Sequence, residues 1–174
     1  MTAAPAPLAS PGPAGGAGGR ALAVRRLALR DFRNYARLEL AAEAAGPVVL
    51  VGENGAGKTN LLEAVSLLAP GRGLRRARLA ELERTEGGPW RVEARVEARD
   101  GPTDLATSPV PGGDGERRQV RRDGTVLRSQ NELAELLSMV WLTPVMDRLF
   151  AEGASARRRF LDRLVLAIDP KHAG

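Results

Sequence analysis

The sequence predicts an α/β fold in which a central strand, a glycine-rich loop and a helix follow one another, with an antiparallel subsheet added to this core. Two observations predict it. The apolar run at residues 48–51 leads directly into the glycine-rich residues 52–59, and residues 60–68 follow with helical spacing. Farther along, residues 90–98 alternate strictly between apolar and charged side chains, as a half-buried strand of an antiparallel sheet does.

Two strands and a turn are predicted ahead of the loop. Residues 21–29 are apolar and partly alternating, residues 31–35 are typical of a turn, and residues 36–40 predict a second strand. Gly46-Pro47 then breaks the chain. Residues 48–51 form an unbroken apolar run rich in β-branched side chains, which is the pattern of a fully buried central strand.

The helix after the loop carries Leu61, Val65 and Leu68 on one stripe, and Pro70-Gly71 ends it. The alternating residues 90–98 open the antiparallel subsheet, which we expect to span residues 90–128.

Within this subsheet, residues 101–115 are polar and rich in Gly and Pro, so they predict a loop. Residues 119–122 and 125–128 flank Asp123-Gly124, a strong signal for a two-residue hairpin.

Three further elements are predicted toward the C-terminus. The first is a short helix that Ser129 and Glu132 cap and that runs through Leu137. The second is a strand at residues 140–142, which Pro144 stops. The third is a helix capped by Ser155 and ended by Asp169-Pro170, with one stripe formed by Phe160, Leu164 and Ile168. We expect both tryptophans, Trp90 and Trp141, to pack in the core from apolar strand faces.

The glycine-rich segment fits the phosphate-binding pattern G-x-x-x-x-G-K-[ST] without adjustment. Glycines let such a loop turn its backbone N–H groups toward phosphate oxygens, the lysine reaches the β- and γ-phosphates, and the threonine hydroxyl binds magnesium. The strand before it and the helix after it are the context that the motif requires. The predicted ligands are ATP and Mg, held by Gly52, Glu53, Asn54, Gly55, Ala56, Gly57, Lys58 and Thr59, with Thr59 on the metal.

Composition limits the other functions. The chain has no cysteine and one histidine, His172, which excludes disulfides, thiol catalysis and a zinc site. Residues 1–20 are rich in Ala, Pro and Gly and lack the pattern of a secretory signal, so they predict a disordered extension ahead of a domain at residues 21–174. Because no apolar run approaches the length of a membrane span, we expect a cytoplasmic protein with no membrane partner.

The formal net charge of +5 and the pI of about 10.8 favour a polyanionic partner such as DNA. Arginine supplies nearly all of the positive charge, however, and a compositional bias toward Arg, Ala and Gly explains the balance equally well.

The residues around the loop resemble a known family. The run Gly-Glu-Asn-Gly-Ala-Gly-Lys-Thr-Asn-Leu-Leu-Glu-Ala at residues 52–64 is similar to the heads of SMC-like ATPases, a branch of the ABC class. Three stretches narrow the resemblance to the RecF family: Leu-Arg-Asp-Phe-Arg-Asn-Tyr at 29–35, Gly-Arg-Gly-Leu-Arg at 71–75, and Ser-Ala-Arg-Arg-Arg-Phe-Leu-Asp-Arg at 155–163. The resemblance covers the chain from about residue 21 onward.

The resemblance implies the N-terminal part of an ABC/SMC-like P-loop NTPase head in a protein of recombinational DNA repair, replication recovery and the SOS response to DNA damage. Such proteins bind ATP, form nucleotide-sandwiched homodimers, bind single-stranded or gapped DNA and work with recombination mediator proteins. The family is a weak, DNA-stimulated ATPase.

Two departures from the family affect what this chain can do. The acid that usually follows the Thr-Pro pair is missing, because Thr143-Pro144 is followed by Val145-Met146-Asp147. Family members also run about twice as far, and their Walker B acids and ABC signature lie in the second half. We therefore expect a head truncated before its second half, which by itself does not hydrolyse ATP.

Several arginines are candidate functional residues. Arg157, Arg158 and Arg159 are predicted in the first turn of a helix, where cations oppose the helix dipole, so an anionic partner would remove the conflict. Arg72 and Arg75 follow the C-terminal end of the first helix, which accepts cations without a partner. These five are candidate contacts to DNA or a second subunit, and a solvated arginine-rich surface is the alternative.

Arg33 and Asn34 are candidates for approaching the nucleotide from the preceding turn, and a plain surface turn is equally consistent with their sequence.

Three alternatives to the RecF-like function remain open at this stage. They are another SMC-like or ABC-type ATPase head, a P-loop enzyme that phosphorylates a small molecule, and a module that binds nucleotide without turnover. The small-molecule kinase needs a substrate pocket with its own acid and a lid, and neither is evident in the sequence.

Overall fold

The computed structural model describes residues 22–42, 46–113, 115–144 and 154–168. The predicted extension at residues 1–20 lies outside this part of the chain, as do Val145, Met146, Asp147 and His172. The elements are β1 (Ala23–Phe32), β2 (Tyr35–Ala41), α1 (Lys58–Ser66), a 3-10 helix (Leu79–Leu82), β3 (Arg91–Ala98), β4 (Gly101–Pro109), β5 (Arg118–Arg122), β6 (Thr125–Val126), α2 (Gln130–Leu136) and α3 (Ala154–Ile168).

The strands form one six-stranded antiparallel sheet in the order β2-β1-β3-β4-β5-β6. Strand β1 pairs with β2 on one side and with β3 on the other, with Leu29 opposite both Leu38 and Val92. The pairing of β1 with β3 shifts register between Val24 and Arg26. Every connection within the pairs β3–β4, β4–β5 and β5–β6 is a hairpin, so most of the sheet is a meander.

One face of the sheet carries the core. Alternate residues of the strands, such as Leu29, Val92, Val96 and Leu105, are almost fully buried and belong to one cluster with Trp90. Helices α1 and α2 and the residues directly after them contribute to the same cluster through Ala64, Leu67, Leu68, Leu133, Leu136 and Leu137. The phosphate-loop helix is therefore anchored on the sheet by its apolar side, as the predicted stripe requires.

The opposite face of the sheet is charged. Its residues pair across strands and along them, with Arg26 and Arg37 both on Glu39 at 2.9 Å, and Arg95 on Asp104 at 2.7 Å. Hydrogen bonds from the two arginines lower the pKa of Glu39. The strict alternation of β3 thus separates an apolar side from a solvated one, as its sequence predicts.

Several predicted signals are confirmed in detail. Asp123 and Gly124 have φ values of 47° and 82°, which form the tight turn between β5 and β6. Ser129 Oγ accepts a hydrogen bond from the N–H of Glu132 at 3.2 Å, and the Glu132 carboxylate accepts one from the N–H of Arg128. Trp90 is fully buried and packs edge-on against Phe32, with 6.0 Å between the ring centroids.

The prediction of a loop at residues 101–115 is wrong, because β4 occupies residues 101–109 at the centre of the sheet. Its Thr103, Leu105 and Thr107 are buried and alternate with exposed or half-buried residues. Pairing with β3 and β5 on both sides outweighs the low strand propensity of its Gly and Pro residues. The period-2 alternation was the available signal, and the polar character of threonine concealed it.

Two other predicted strands are absent from the described residues. Residues 48–51 have no strand partner there, and Val48, Val49 and Val51 are 51%, 65% and 89% exposed. Residues 140–142 are irregular, with Leu142 75% exposed and Trp141 half-buried outside the main core cluster. An apolar run becomes a strand only when neighbouring strands accept its backbone hydrogen bonds, and no described strand lies beside either run.

The arrangement of the sheet also differs from expectation. A central sheet with a separate subsheet at residues 90–128 was predicted, whereas β1 and β2 extend the same antiparallel sheet. Two helices differ in their bounds. Helix α1 ends at Ser66, before Pro70, and α3 begins at Ala154, so Ser155 lies inside α3 and does not precede it as a cap.

Candidate nucleotide-binding site

The glycine-rich loop connects residue 51 to the first turn of α1. Gly55 and Gly57 have φ values of 85° and 97°, in the left-handed region that favours glycine, and Gly57 is the N-cap of the helix. In the first turn of α1, as in every helix, the first N–H groups have no carbonyl oxygen within the helix to bind. Within the described residues, the first N–H of this segment to reach the Gly57 carbonyl is that of Asn60, at 2.8 Å. Unpaired N–H groups and the positive end of the helix dipole favour an anion at such a terminus.

Lys58 turns back over the loop. Its Nζ donates to the carbonyl oxygens of Gly52 at 2.7 Å and Glu53 at 2.6 Å. The ammonium charge therefore lies at the mouth of the loop, close to the N-terminal end of α1. Thr59, the next residue, is exposed at the same end of the helix. These are the positions that the phosphate-binding motif assigns to its cation and its hydroxyl.

The turn between β1 and β2 lies against one side of the loop. A Cβ atom added to Gly57 would lie 2.5 Å from Tyr35 Oη and 2.7 Å from Asn34 Nδ2, so any other residue there requires these side chains to move. Tyr35 Oη also donates to the carbonyl of Ala56 at 3.3 Å. Partial burial raises the pKa of Tyr35, so the phenol stays protonated at neutral pH. The chain direction at this turn depends on Arg33, whose φ is 54°.

A buried carboxylate lies on α1 behind the loop. Glu63 is 2% exposed and binds two arginines. Arg33 forms a fork on it, with Nε and Nη2 each 2.9 Å from a carboxylate oxygen, and Arg75 Nη1 lies 3.2 Å away. A buried carboxylate is tolerated only when it is paired and hydrogen-bonded, and both conditions are met here. The ion triad fixes the β1–β2 turn and the segment after α1 to the same helix.

Asn60 joins this triad to the turn beside the loop. Its Oδ1 accepts from Arg75 Nη1 at 2.9 Å, and its Nδ2 donates to Asn34 Oδ1 at 2.8 Å. Of the two candidate nucleotide neighbours, the structure therefore brings Asn34 to the loop. The donors of Arg33 are instead directed at Glu63 and at the carbonyl of Glu81, at 2.7 Å.

The far end of α1 is held by a cation from the sheet. Arg118 on β5 donates to the carbonyl oxygens of Leu67 at 2.7 Å, Ala69 at 2.9 Å and Gly71 at 3.0 Å. Burial lowers its pKa to about 10, so the guanidinium stays charged at neutral pH. A cation at this position is favourable because the C-terminal end of a helix is negative.

The other candidate arginines are spread over the chain. Arg72 is exposed after α1, and Arg75 is partly used by Glu63 and Asn60. Arg157 is half-buried and Arg158 exposed on α3, while the side chain of Arg159 lies outside the described part. Because α3 begins at Ala154, Arg157 is its fourth residue, and the predicted conflict with the helix dipole is weaker than expected.

Three residues that hold the loop and α1 in place were not predicted from the sequence. Tyr35, Glu63 and Arg118 had no assigned role, and each makes its contact with a segment distant in sequence. Glu63 gave the one available signal, because a single acid next to the apolar stripe of a helix requires a partner when it is buried. No helix of the described ranges is long and apolar enough to cross a membrane.

A glycine loop at the N-terminus of a helix, packed on a sheet and closed by its own lysine, defines the class of protein: this is a P-loop ATPase fold. The chain belongs to the family described as "AAA domain, putative AbiEii toxin, Type IV TA system", whose family model matches residues 48–138, just over half of the chain.

Curated relatives narrow the resemblance to RecF. The chain is 53% identical over 151 residues to the DNA replication and repair protein RecF of Mesorhizobium japonicum, covering 86% of this chain and 39% of that protein. It is 50% identical over 149 residues to RecF of Rhizobium meliloti, covering 84% and 39%. The predicted resemblance to RecF is confirmed, and the chain corresponds to its N-terminal part.

Solved structures also show the resemblance to RecF. Two structures of the recombination mediator protein RecF in the RecFOR pathway, one with ATPrS and one with ATP, match with TM-scores of 0.73 and 0.72. Their sequences are 26% and 25% identical to this chain, and the matches cover 86% and 88% of it. The chain spans about two fifths of the length of these relatives.

Proposed function

We propose that this chain is the nucleotide-binding part of a RecF-like protein of DNA replication and recombinational repair, and that its ligand is ATP with magnesium. The observation that carries the proposal is the loop at residues 52–59, with Lys58 Nζ 2.7 Å and 2.6 Å from two loop carbonyls at the N-terminal end of α1. The similar RecF structures with ATP and ATPrS support the choice of nucleotide.

The residues present fit the ligand. Gly52, Gly55 and Gly57 leave the loop free of side chains at its turns, which lets phosphate oxygens approach the backbone. Lys58 supplies a point charge for the β- and γ-phosphates, and Thr59 supplies a hydroxyl for magnesium. Magnesium, when bound, neutralises the charge of the phosphates; the chain's own residues bind and orient them.

Binding of ATP is tested with a lysine comparison. The chain contains two lysines, Lys58 and Lys171. We expect Lys58→Ala to lose at least tenfold in ATP affinity, about 1.4 kcal/mol, while Lys171→Ala binds as the parent does. The measurement is titration with a fluorescent ATP analogue, with the unfolding temperature as a check on the fold. Equal affinity of Lys58→Ala and the parent would refute the phosphate-binding site.

We propose DNA binding for a full-length protein of the RecF type. We infer that Arg157, Arg158 and Arg159 contact a phosphate backbone or a second subunit, with Arg72 and Arg75 as further candidates, and that DNA and a homodimer are the partners. In the full-length protein, changing the three α3 arginines to Gln should weaken DNA binding and flatten its salt dependence. An unchanged salt slope and an unchanged dimer equilibrium would leave them as a solvated surface.

A second candidate function is a module that binds nucleotide without turnover. The observation in its favour is that the loop and α1 provide only a cradle for phosphates, which binds ground state and transition state alike. The two proposals agree on ATP binding and differ on hydrolysis. A hydrolysis assay of the full-length protein with and without DNA separates them: a RecF-like ATPase turns ATP over faster when DNA is present, and a module without turnover does not.

A further inference from the structure

Four side chains beside the loop form one continuous hydrogen-bonded path. It runs from the buried Glu63 through Arg75 and Asn60 to Asn34, with successive distances of 3.2, 2.9 and 2.8 Å. The path ends where Asn34 Nδ2 lies against Gly57, the N-cap of α1. Its members come from three segments, namely α1, which carries Glu63 and Asn60, the segment after α1, which carries Arg75, and the β1–β2 turn, which carries Asn34. The path is therefore a product of the fold.

The chemistry of the groups fixes the direction of every hydrogen bond on this path. A guanidinium has donors and no acceptor, so the Asn60 atom that faces Arg75 must be its carbonyl oxygen. The amide nitrogen of Asn60 then faces Asn34, and because it is a donor, it must meet the carbonyl oxygen of Asn34. The remaining amide group of Asn34, its NH2, is thereby turned toward Gly57 and the loop.

Such an orientation matters at a phosphate site. A phosphate oxygen accepts hydrogen bonds and is repelled by a carbonyl oxygen, so an asparagine beside it helps only when its NH2 group faces the ligand. Free asparagine amides have no such preference. Within the described residues, Asn34 Nδ2 has no protein acceptor, and its oxygen is already used by Asn60.

We propose that Asn60 is a positioning residue for nucleotide binding, which transmits the donor-only character of Arg75 to Asn34 and so holds the Asn34 NH2 group toward a phosphate of the bound nucleotide. Glu63 has a supporting role, since its buried carboxylate keeps the guanidinium of Arg75 in place beside Asn60. The inference rests on the proposed ATP site, and it adds residues that the phosphate-binding pattern does not contain.

A double-mutant cycle tests the proposal, with ATP affinity as the readout. The parent and Lys58→Ala are measured first, and a difference between them establishes the phosphate site independently of Asn60. We then expect Asn60→Ala and Asn34→Ala each to lower ATP affinity by about tenfold or more, the loss of one hydrogen bond to a charged ligand. Because Asn60 acts through Asn34, the double variant should bind no more weakly than Asn34→Ala alone.

The controls separate positioning from general damage. Asn131 is an exposed asparagine on α2, so Asn131→Ala makes the same chemical change away from the loop and should leave the affinity at the parent value. Arg75→Lys keeps a donor-only cation beside Asn60 and should retain more affinity than Arg75→Ala. Unfolding temperatures of all variants show whether they fold.

Two results would overturn the proposal. One is an Asn60→Ala variant that binds ATP as tightly as the parent. The other is an Asn60→Ala loss that adds in full to the Asn34→Ala loss, since this would show that Asn60 acts on the ligand by another route. Failure of Lys58→Ala to lose affinity would instead count against the ATP site itself.

Discussion

At the scale of single residues, the structure separates two loop glycines that the motif treats alike. Gly55 and Gly57 both have positive φ, but a Cβ at Gly55 would meet nothing within 4 Å, whereas one at Gly57 would clash with Tyr35 and Asn34. Gly55→Ala therefore suffers only the left-handed strain of a non-glycine residue, about 1–2 kcal/mol. The asymmetry arises because the β1–β2 turn lies against one side of the loop.

We expect Gly57→Ala to lose more unfolding free energy than Gly55→Ala by at least about 1 kcal/mol, because overpacking adds to the backbone strain. Its ATP affinity should fall further as well, since the N-terminal turn of α1 must shift. Urea unfolding and ATP titration of the two variants provide the comparison. Equal losses of stability would mean that the turn moves away from the loop without resistance.

A second residue-scale prediction concerns acid. Asp123 accepts hydrogen bonds from Asp104 N at 2.9 Å and Thr103 Oγ1 at 2.7 Å, and these lower its pKa, with the backbone bond as the larger cause. A carboxylate with a lowered folded pKa stabilises the protein above its unfolded pKa of about 3.9, and this stabilisation is lost as pH falls through the folded value.

Asp123→Asn keeps a residue that tolerates φ of 47° but removes the charge. We expect it to lower stability at pH 7 and to make stability less dependent on pH below about pH 4, as the linkage relation requires. Thermal unfolding of parent and variant between about pH 2 and pH 7, roughly the range over which carboxyl groups titrate, measures both. Parallel curves at all pH values would exclude a role for the Asp123 charge.

At the scale of elements, α1 is held at both ends by groups from elsewhere in the chain. The turn at residues 33–35 lies at its N-terminal end, and Arg118 from β5 binds three carbonyl oxygens at its C-terminal end. Only the sheet register brings Arg118 to this point, since its side chain is on the same face as the buried Val120.

Arg118→Met should therefore destabilise the protein by about 2–4 kcal/mol, because buried carbonyl groups lose a charged donor. Arg121→Met is the matched control. Arg121 is three residues farther along β5 and has one long bond, 3.4 Å, to the carbonyl of Gly124, so its loss should cost less than about 0.5 kcal/mol. Chemical unfolding of the two variants compares their free energies of unfolding. Similar midpoints would show that water replaces the Arg118 hydrogen bonds with no loss of stability.

The apolar run before the loop gives a second element-scale prediction. Val51 is 89% exposed, whereas Val92 on β3 is fully buried. We expect Val51→Thr to change the unfolding free energy of this chain by less than about 0.5 kcal/mol and to raise its solubility, because an exposed apolar patch is reduced. Val92→Thr, the same substitution in the core, should cost about 1–3 kcal/mol. A large loss for Val51→Thr would show that residues 48–51 are buried in solution.

At the scale of the whole molecule, the question is turnover. Phosphoryl transfer needs a positioned water and stabilised charge around the γ-phosphoryl group, in addition to a phosphate cradle. The chain spans about two fifths of its RecF relatives, and the loop at residues 52–59 is the cradle alone. We expect the purified chain to bind ATP and to show no DNA-stimulated hydrolysis.

The measurement is steady-state phosphate release with and without DNA, using Lys58→Ala as the blank. Turnover that is present in the parent and lost in Lys58→Ala would show that this chain supplies its own catalytic acids. Asp147, Asp162 and Asp169 would then be the first positions to replace.

The sequence by itself determined the elements that local signals specify. The glycine pattern defined the loop and the alternation in β3 defined a one-sided strand, while Asp123-Gly124 and Ser129 marked a turn and a helix start. Backbone angles confirm the loop and the turn, burial confirms the strand, and a hydrogen bond confirms the helix start. These features depend on residues a few positions apart, so propensity and spacing are sufficient to predict them.

Tertiary structure alone decided what depends on distant partners. Residues 101–109 became a central strand because β3 and β5 satisfy its backbone, while residues 48–51 remain exposed because no described strand lies beside them. The support of the loop by Asn34, Tyr35 and Glu63 likewise requires segments about 20 to 30 positions apart to meet. Hydrogen bonding and burial are properties of the neighbours that a fold assembles, and a one-dimensional pattern does not specify those neighbours.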